Sequence, residues 1–424
     1  MTRHITRTWL GAGALLLTGT LALTGCGSGF DDDGGSTGGP AGDASELTSS
    51  DDALTILIGS SGDAETAAVE EAVAAWSEES GVEASVQVAN DLPQQLSQGF
   101  AAGSPPDLFY LATEALAGYA GNGSLIAYGD LLENKDDFYP SLVQNFTVDD
   151  QFYCAPKDFS TLQLIINKGL WDAAGLTDDD IPTTWDELAD VAATLTTDGV
   201  TGLAFGAEYQ RLGAFMAQAG GQLVSDDGTE AVANSPENVE ALTYVQEQME
   251  AGSFAYATID LGAGWGGEAF GTGKSAMTIE GNWITGAMSN DYPDVEYVVA
   301  ELPEGPGGKG TMQFTNCWGM AADSPNQQAA LDLVEYLTSA EQQLAFSAAF
   351  GPMPSVQSAA DQWTADNPEL AAFLAGAEYA QGVPTNDGIS AVITDFNASL
   401  EGLKTGDPQQ ILDTVQSNTE AVVG

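Results

Sequence analysis

The chain alternates short apolar runs with stretches of helical periodicity. Residues 54–58 (LTILI) form an uninterrupted apolar run, as expected of a buried strand. The next stretch repeats apolar residues at the spacing of one helix face, with Asp63 as its predicted cap and Gly81 as its end. Two further strands are predicted over 83–88 and 107–111, with a short helix between them. This alternation predicts a mostly parallel, layered α/β lobe.

Three later segments carry the signals of a helix start. Thr184 and Glu187 have the spacing of a capping box ahead of an apolar helix face. The Ser-Pro pairs at 235–236 and 324–325 each place a capping residue before a proline. We therefore expect a helix to begin at each of these three positions, and the second of them to end at Gly252.

The amino terminus has a different character from the rest of the chain. Arg3 and Arg7 precede an apolar stretch that is short for a transmembrane helix and ends in small residues before a cysteine. This order resembles a bacterial lipoprotein signal, which predicts a signal peptide over 1–25 and lipidation of Cys26. An ordinary secretory peptide with an incidental cysteine is the alternative. The Gly-, Ser- and Asp-rich residues 26–53 are predicted to form a disordered tether.

Charge and composition exclude several functional classes. The chain has 62 Asp and Glu against 9 Lys and Arg, for a net charge of −53. Such a surface repels nucleic acid and anionic lipid, and argues against a phosphorylated ligand. The acidity fits either adaptation to high salt or lineage bias combined with solubility. The one histidine, His4, lies in the predicted signal peptide, so we expect no histidine-based catalytic triad and no histidine-based zinc site. We also expect no cofactor and no metal.

Several segments, in order along the chain, resemble one protein family. The most specific is 268–283 (EAFGTGKSAMTIEGNW). Residues 153–176 (YCAPKDFSTLQLIINKGLWDAAGL) resemble the first hinge crossing of that family, and 316–346, which begin NCWGMAADSP, resemble its return crossing. The family is the extracellular solute-binding lipoproteins of bacterial ABC importers, in the carbohydrate-binding branch that includes maltose-binding proteins.

The resemblance implies a two-lobed, periplasmic-binding-protein-like α/β fold, with a hinge of crossing strands and a ligand cleft between the lobes. The implied boundaries are 54–157 and 316–367 for the first lobe, and 158–315 and 368–424 for the second. A member of the family captures a sugar or oligosaccharide by lobe closure and delivers it to ABC permease subunits. It makes and breaks no bond, so we expect no enzyme. We expect a monomer on the outer face of the membrane, held there by its lipid alone.

The resemblance also implies a set of ligand contacts. Carboxylates and amides would hydrogen-bond sugar hydroxyls, and aromatic rings would stack on apolar sugar faces. The matching positions are Asp63, Glu65, Glu114, Asp158, Glu208, Tyr209, Trp265, Trp283, Asn316 and Trp318. The alignment at Asp158 admits a shift of two positions, to Ser160. For most of these residues the alternative is helix capping or core packing.

The chain departs from maltose-binding proteins at two aromatic positions. Maltose-binding proteins carry an aromatic residue before the acidic contact, and this chain has Leu111 at that position. Ile389 and Ser390 occupy the region in which a tryptophan is expected. The stacking set therefore differs, and the ligand is not assigned to maltodextrin.

Cys154 and Cys317 fall on the two segments that resemble the hinge crossings. They either form one disulfide or remain two buried thiols. If the crossing strands are neighbours, the Cα atoms can approach to the distance that a disulfide requires. Our hypothesis is that the two cysteines pair and stiffen the hinge.

Two other functions remain open at the level of sequence. Acidic residues would also suit a polyamine, and a polyol is a further candidate solute. A carboxylate-based glycosidase would need two opposed carboxylates in the cleft, a role that Glu114 and Glu208 could fill.

Overall fold

The computed structural model describes residues 47–423 of the 424-residue chain. The predicted signal peptide, Cys26 and the first part of the predicted tether lie outside these described residues. Between residues 47 and 423, no helix combines the length and apolar character that a membrane crossing requires.

The strands and helices follow one another in an alternating α/β order. The strands are β1 Leu54–Ile58, β2 Ala84–Val88, β3 Leu108–Ala112, β4 Thr147–Val148, β5 Gln151–Phe152, β6 Ala155–Thr161, β7 Gln163–Asn167, β8 Thr201–Phe205, β9 Phe254–Tyr256, β10 Ser275–Glu280, β11 Tyr297–Ala300, β12 Thr311–Met320 and β13 Ala380–Gln381. The helices are α1 Asp63–Ser80, α2 Leu92–Ala101, α3 Thr113–Gly121, α4 Pro140–Asn145, α5 Lys168–Ala173, α6 Trp185–Leu195, α7 Tyr209–Ala219, α8 Pro236–Ala251, α9 Gly266–Gly271, α10 Ile284–Asp291, α11 Gln327–Leu337, α12 Ala340–Phe350, α13 Ala360–Asp366, α14 Ala371–Ala375, α15 Ile389–Leu400 and α16 Pro408–Glu420.

Two separate sheets define two lobes. The first sheet has the order β13-β12-β3-β1-β2, with β6 also paired to β12. Its β1 pairs in parallel with β2 and β3, as the strand–helix alternation predicts, whereas β12 joins β3 and β6 in antiparallel fashion. The second sheet has the order β11-β7-β10-β8-β9. Each lobe has its own apolar core around its sheet.

Two of the passages between the lobes are neighbouring strands. The chain passes along β6, through the buried Leu162, and directly into β7 of the second sheet. It returns along β12, which pairs with β6 over most of its length and ends beside β3 in the first sheet. A third apolar cluster, which includes Phe159 of β6 and Ile165 of β7, packs beside this crossing. The crossing strands are therefore buried on one side by an apolar cluster to which both lobes contribute.

Two predicted helix starts differ from the structure. Asp63 is the first helical residue of α1, and the capping position is Gly62, which provides no side chain. Helix α11 begins at Gln327, two residues after the Ser-Pro pair. The hydroxyl of Ser324 instead donates to the buried Asp107 carboxylate, with 2.7 Å between the oxygens. The side chain of Ser324 therefore forms a long-range hydrogen bond, whereas the local pattern predicted that it would cap the helix.

The folded region begins earlier than the sequence pattern indicates. Thr48 donates its amide to Gln327 Oε1 at 3.1 Å and its hydroxyl to the carbonyl of Ser324 at 2.7 Å. The side-chain amide of Asn326 donates to the carbonyl of Asp52 at 3.1 Å. Residues 47–53 are thus bound to the start of α11, which corrects their assignment to the disordered tether. Their partners lie more than two hundred residues away, so local composition could not reveal them.

Candidate functional site

The second lobe contains an open cavity of about 380 Å³ near the crossing strands. The loops that follow β8 and precede α9 form two of its walls, and α15 forms a third. Its lining residues are Gly206, Ala207, Glu208, Arg211, Thr258, Gly264, Trp265, Gly266, Glu280, Thr394, Asn397, Ala398 and Glu401.

Arg211 is the centre of an ion-pair cluster on the wall of this cavity. One guanidinium nitrogen lies 2.6 Å from Glu208 Oε1, and another lies 2.5 Å from Glu280 Oε2. Helix α7 positions the pair of Glu208 and Arg211, because Glu208 occupies the N-cap position and Arg211 lies in the first turn. Glu280 is the last residue of β10. The cluster therefore joins a helix start to the end of a central strand.

Glu280 is a buried carboxylate that also holds an indole. Its side chain is 1 % exposed and accepts a hydrogen bond from Trp283 Nε1 at 3.1 Å. Burial raises the pKa of Glu280 above its usual value, and the guanidinium of Arg211 acts against that rise. Because a buried carboxylate without a partner is costly, Arg211 is the group that allows Glu280 to lie here.

Two aromatic rings flank the guanidinium of Arg211. Its central carbon lies 5.6 Å from the Trp283 ring and 5.7 Å from the Phe314 ring. The two rings meet edge to face, with 5.0 Å between their centroids. Trp283 is 37 % exposed, which is unusual for so large an apolar side chain. Trp265 is half-buried and lines the cavity itself.

The crossing strands extend this group of polar and aromatic side chains toward the first lobe. Phe314 pairs with Ser160, and Asn316 pairs with Asp158 across β12 and β6. Directly opposed residues of antiparallel strands share one face of the sheet. Asp158, Ser160 and Asn316 therefore lie on the same face as Phe314, which contacts Arg211. They form the floor between the lobes.

A second ion-pair cluster lies at the first-lobe end of this floor. The ammonium of Lys157 binds Glu65 Oε1 at 3.1 Å and also pairs with the carboxylate of Asp158. Consecutive strand residues normally point to opposite faces, but the register shift at Cys317 leaves Lys157 unopposed and lets it reach its neighbour. The ammonium also lies 4.4 Å from the Tyr110 ring centroid.

The pKa values of the two carboxyl groups in this second cluster shift in opposite directions. Burial acts to raise the pKa of Glu65, but Lys157 and two hydrogen bonds from Ser61 outweigh it, so the pKa is lowered. Burial raises the pKa of Asp158 although Lys157 opposes the rise. Lys157 compensates two carboxylates at once, as Arg211 does in the other lobe.

The structure brings some of the sequence-predicted residues together. Glu208 and Trp265 line the second-lobe cavity, and Trp283 contacts its ion-pair cluster. Asp158 and Asn316 lie on the floor. Glu65 is buried against Lys157, and it reaches the floor only through that residue.

The structure places other predicted contacts elsewhere. Trp318 is 1 % exposed in the first-lobe core, where its ring packs edge-on against Tyr110 at 4.8 Å. Tyr209 is buried against Phe396 in the second-lobe core. Both placements correct the expectation of a ligand contact, because a buried ring offers no face to a solute. Asp63 and Glu114 are exposed on the first turns of α1 and α3.

Sequence reasoning missed the residue at the centre of the site. Arg211 is one of only 9 basic residues and lies three positions after Glu208, a spacing that favours an ion pair on a helix. That scarcity was the signal that could have found it. Glu280, Thr258, Asn397 and Glu401 had no such signal, since three different segments converge to bring them together.

A disulfide joins the two crossing strands at their first-lobe end. It links Cys154 to Cys317, with 5.6 Å between the Cα atoms and 163 positions between them in sequence. Both cysteines are buried. Over residues 47–423, no group of three or more His, Cys, Asp and Glu side chains is arranged to hold a metal ion.

Comparison with protein families and curated relatives connects the chain to binding proteins. The family model for bacterial extracellular solute-binding proteins matches residues 71–372. A binding protein of Brucella abortus (strain 2308) is 24% identical over 350 residues, which is 78% of this chain and 83% of the relative. The sn-glycerol-3-phosphate-binding periplasmic protein of Escherichia coli (strain K12) is 33% identical over 158 residues, which is 35% of each chain.

Solved structures of similar fold cover almost the whole described chain. The cyclic alpha-maltosyl-1,6-maltose binding protein of Arthrobacter globiformis matches with a TM-score of 0.77 at 22% identity, over 87% of this chain and 98% of that one. The sugar-binding protein MalE of Xanthomonas citri matches with a TM-score of 0.78 at 20% identity, over 88% and 97%. These likenesses confirm the predicted two-lobed fold. Since the family model matches most of its length, the chain belongs to the bacterial extracellular solute-binding protein family.

Proposed function

We propose that the protein is an extracellular receptor that captures a sugar or oligosaccharide between its lobes and delivers it to an ABC permease. One observation carries the proposal: the Glu208–Arg211–Glu280 cluster lies beside a half-exposed Trp283 ring at the edge of an open cavity. This is a combination of fixed hydrogen-bonding groups and flat apolar surface. The solved structures of similar fold include a cyclic alpha-maltosyl-1,6-maltose binding protein and a sugar-binding protein.

The chemistry of the cluster suits hydroxyl groups. Carboxylate oxygens accept hydrogen bonds from sugar hydroxyls, and a hydrogen bond to a charged group contributes roughly 1.5–3 kcal/mol. The indole ring of Trp283 provides a surface for the apolar face of a sugar. We therefore propose Glu208, Trp265 and Trp283 of the second lobe as ligand contacts, together with Asp158 and Asn316 of the floor.

The proposed binding cycle uses the paired strands that cross between the lobes. The ligand would enter between them, and bending at the crossing strands β6 and β12 would close the first lobe over it. No step of this cycle makes or breaks a bond. The proposal assigns 54–157 and 316–367 to the first lobe, and 158–315 and 368–424 to the second.

Anchoring by the amino terminus completes the proposal. The lipoprotein-like signal before Cys26 indicates a lipid-modified cysteine that holds a monomer at the outer face of the cell membrane. Capture and delivery would then occur beside the permease, with the chain tethered rather than free to diffuse away.

The ion pairs on the cavity wall bear on the two other candidates, a polyamine as ligand and glycosidase activity, because they engage two of the three lining carboxylates. A polyamine would have to approach Arg211, and that residue already occupies the carboxylates of Glu208 and Glu280. A glycosidase would need one of these carboxyl groups free to give a proton to the substrate. Both groups are instead bound to the same guanidinium.

A thermal-shift screen of the full chain tests the proposal. The probes are maltose, maltotriose, mannotriose, tagatose and spermidine. A ligand at one hundred times its Kd stabilises the folded state by about 2.7 kcal/mol, which raises the unfolding temperature measurably. We expect stabilisation by at least one sugar. Stabilisation by spermidine alone would contradict the sugar assignment and leave the family assignment intact.

A further inference from the structure

Arg211 offers no net positive charge to a ligand. Its guanidinium nitrogens lie 2.6 Å from Glu208 Oε1 and 2.5 Å from Glu280 Oε2. With both carboxylates ionised, the cluster carries one net negative charge. If the buried Glu280 takes up a proton, the cluster becomes neutral. In neither state does the cluster attract an anion.

The remaining charges around the cavity have the same sign. Among the described residues that line it, Arg211 is the one basic side chain, and three are glutamates. Glu401 is exposed at the end of α15 and adds a negative charge at the wall. On the floor, Lys157 lies between Glu65 and Asp158. Arg211 and Lys157 are therefore each outnumbered by the carboxylates that hold them.

Hydrogen-bond polarity favours the same class of ligand as the charge does. Ionised carboxylates only accept hydrogen bonds, and a sugar hydroxyl donates one. The phosphate or carboxylate of an anionic sugar presents further acceptors, which would face the oxygens of Glu208 and Glu401. The hydroxyls of Thr258 and Thr394 on the lining can donate or accept and therefore do not reverse this preference.

We infer that the cavity selects uncharged, hydroxyl-rich ligands and rejects phosphorylated or carboxylated compounds of the same size. The inference rests on the proposed function, because it specifies the class of sugar that the receptor takes. It also separates this chain from its Escherichia coli relative, whose name states that it binds sn-glycerol-3-phosphate. A shared family and fold would thus serve ligands of opposite charge character through a few residues on one wall.

Calorimetric titration of the full chain with matched probes tests the inference. The pairs are glucose with glucuronate, glucose with glucose phosphate, maltose with maltose phosphate, and glycerol with sn-glycerol-3-phosphate. Placing one negative charge near this site at low salt should weaken binding at least about tenfold relative to the neutral partner. That result supports the inference.

The contrary outcomes separate the inference from the function on which it rests. Equal or tighter binding of a sugar phosphate or glucuronate would overturn the inference and leave the sugar-receptor proposal standing. Binding of sn-glycerol-3-phosphate alone would overturn both. Absence of binding by every probe would overturn the inference, and together with no stabilisation by any sugar of the thermal-shift screen it would overturn the proposed function as well.

A single charge-neutralising substitution tests whether the preference for uncharged ligands depends on the ion-pair cluster around Arg211. Glu208→Gln keeps the shape of the side chain and removes one negative charge from beside Arg211. We expect the ratio of anionic to neutral affinity within each pair to rise by about threefold to tenfold, while both members also lose the charged acceptor that Glu208 provides. Glu247→Gln, on the exposed face of α8, is the matched control and should change neither. An unchanged ratio in Glu208→Gln would overturn the inference.

Discussion

The hydroxyl of Ser160 accepts a hydrogen bond from the backbone amide of Asn282, with 2.9 Å between the oxygen and the nitrogen. Ser160 belongs to the crossing strand β6, and Asn282 follows β10 of the second-lobe sheet. The side-chain amide of Asn282 also donates to the carbonyl of Gly351, at the end of α12, at 2.8 Å. One loop of the second lobe is therefore bonded both to the crossing and to a helix that packs on the first lobe.

The substitution Ser160→Ala should destabilise this junction. It removes the acceptor and leaves the buried amide of Asn282 without a partner, which costs about 1–3 kcal/mol. Urea unfolding measures the loss in the free energy of unfolding. Ser289→Ala is the control, because that hydroxyl bonds a helix carbonyl at an exposed position. If both variants unfold at the same urea concentration as the parent protein, the amide of Asn282 does not depend on Ser160.

The bond between Cys154 and Cys317 should make a large contribution to stability. It closes a loop of 163 positions, and the chain-entropy model gives about 5 kcal/mol for a loop of that length. We expect reduction to lower the free energy of unfolding by about 3–5 kcal/mol. Urea unfolding with and without reductant measures the difference. The Cys154→Ala, Cys317→Ala double variant is the control and should show no dependence on reductant. Two free thiols in the unreduced protein, detected by alkylation and intact mass, would contradict the pairing.

Local sequence patterns predicted the elements whose signals lie within a few residues. Strand β1, the Thr184 side-chain cap of α6 and the Ser235 cap of α8 all match the structure. These features depend on the backbone conformation of one short segment. The antiparallel β12 in the first sheet did not follow from such a pattern, because its partners are distant segments.

Trp283 and Trp318 show that local sequence also could not decide which predicted residues lie at the site. The resemblance to one family predicted both tryptophans as ligand contacts. Pairing of Trp318 with Tyr110 on β3 turns its ring into the first-lobe core. Trp283 lies just past the end of β10, where Glu280 holds its indole in a half-exposed position. Strand register decides between core and cleft, and register depends on contacts that no single segment contains.

Replacement of Lys157 by methionine should cost far more than an ordinary surface change. It leaves Glu65 and Asp158 near one another without a cation in a buried place, and such a loss costs about 3–5 kcal/mol. Lys135→Met is the control, since Lys135 forms an exposed pair with Asp130 and its loss should leave stability nearly unchanged. Urea unfolding at neutral pH measures both. Equal effects of the two substitutions would contradict a structural role for the buried cluster.

The loss in the free energy of unfolding caused by Lys157→Met should become smaller as the pH falls. In the parent protein the pKa of Glu65 lies below its ordinary value of 4.5, so its stabilising contribution is present above that value and lost on acidification through the lower folded pKa. Without Lys157, burial alone raises the pKa of Glu65 and Asp158, and protonation then removes two uncompensated charges. Unfolding measured at about pH 4 should therefore show a smaller difference than at neutral pH. A difference that grows on acidification would contradict this assignment.

Removal of the Trp283 ring should weaken sugar binding without unfolding the protein. The ring is half-exposed, and aromatic stacking contributes about 0.5–1.5 kcal/mol beyond buried area, so Trp283→Ala should lower affinity about tenfold. Trp283→Phe keeps a ring and should lose less. Ile259→Ala is the control, because Ile259 is exposed and does not line the cavity. Calorimetric titration with the sugar identified by the thermal-shift screen measures the three affinities. Equal affinity of Trp283→Ala and the parent would remove Trp283 from the proposed contacts.

Gly266 is required by the close packing of the cavity wall against Glu280. A Cβ atom at this position would lie 2.5 Å from Glu280 Oε1 and 2.7 Å from Thr278 Oγ1. Both side chains are buried, so neither can move away freely. Gly266→Ala should therefore displace Glu280 from Arg211, lower stability by about 1–3 kcal/mol and weaken ligand binding about tenfold or more.

A second glycine of the same lobe separates this effect from the general cost of adding a methyl group. Gly286 lies within α10, and a Cβ atom there would meet no atom within 4 Å. Gly286→Ala should therefore leave binding unchanged and raise helix stability by up to about 1 kcal/mol. Urea unfolding and calorimetric titration of both variants give the comparison. If Gly266→Ala binds the sugar as tightly as Gly286→Ala does, then the position of Glu280 does not control the site, and recognition depends on the floor of the cleft instead.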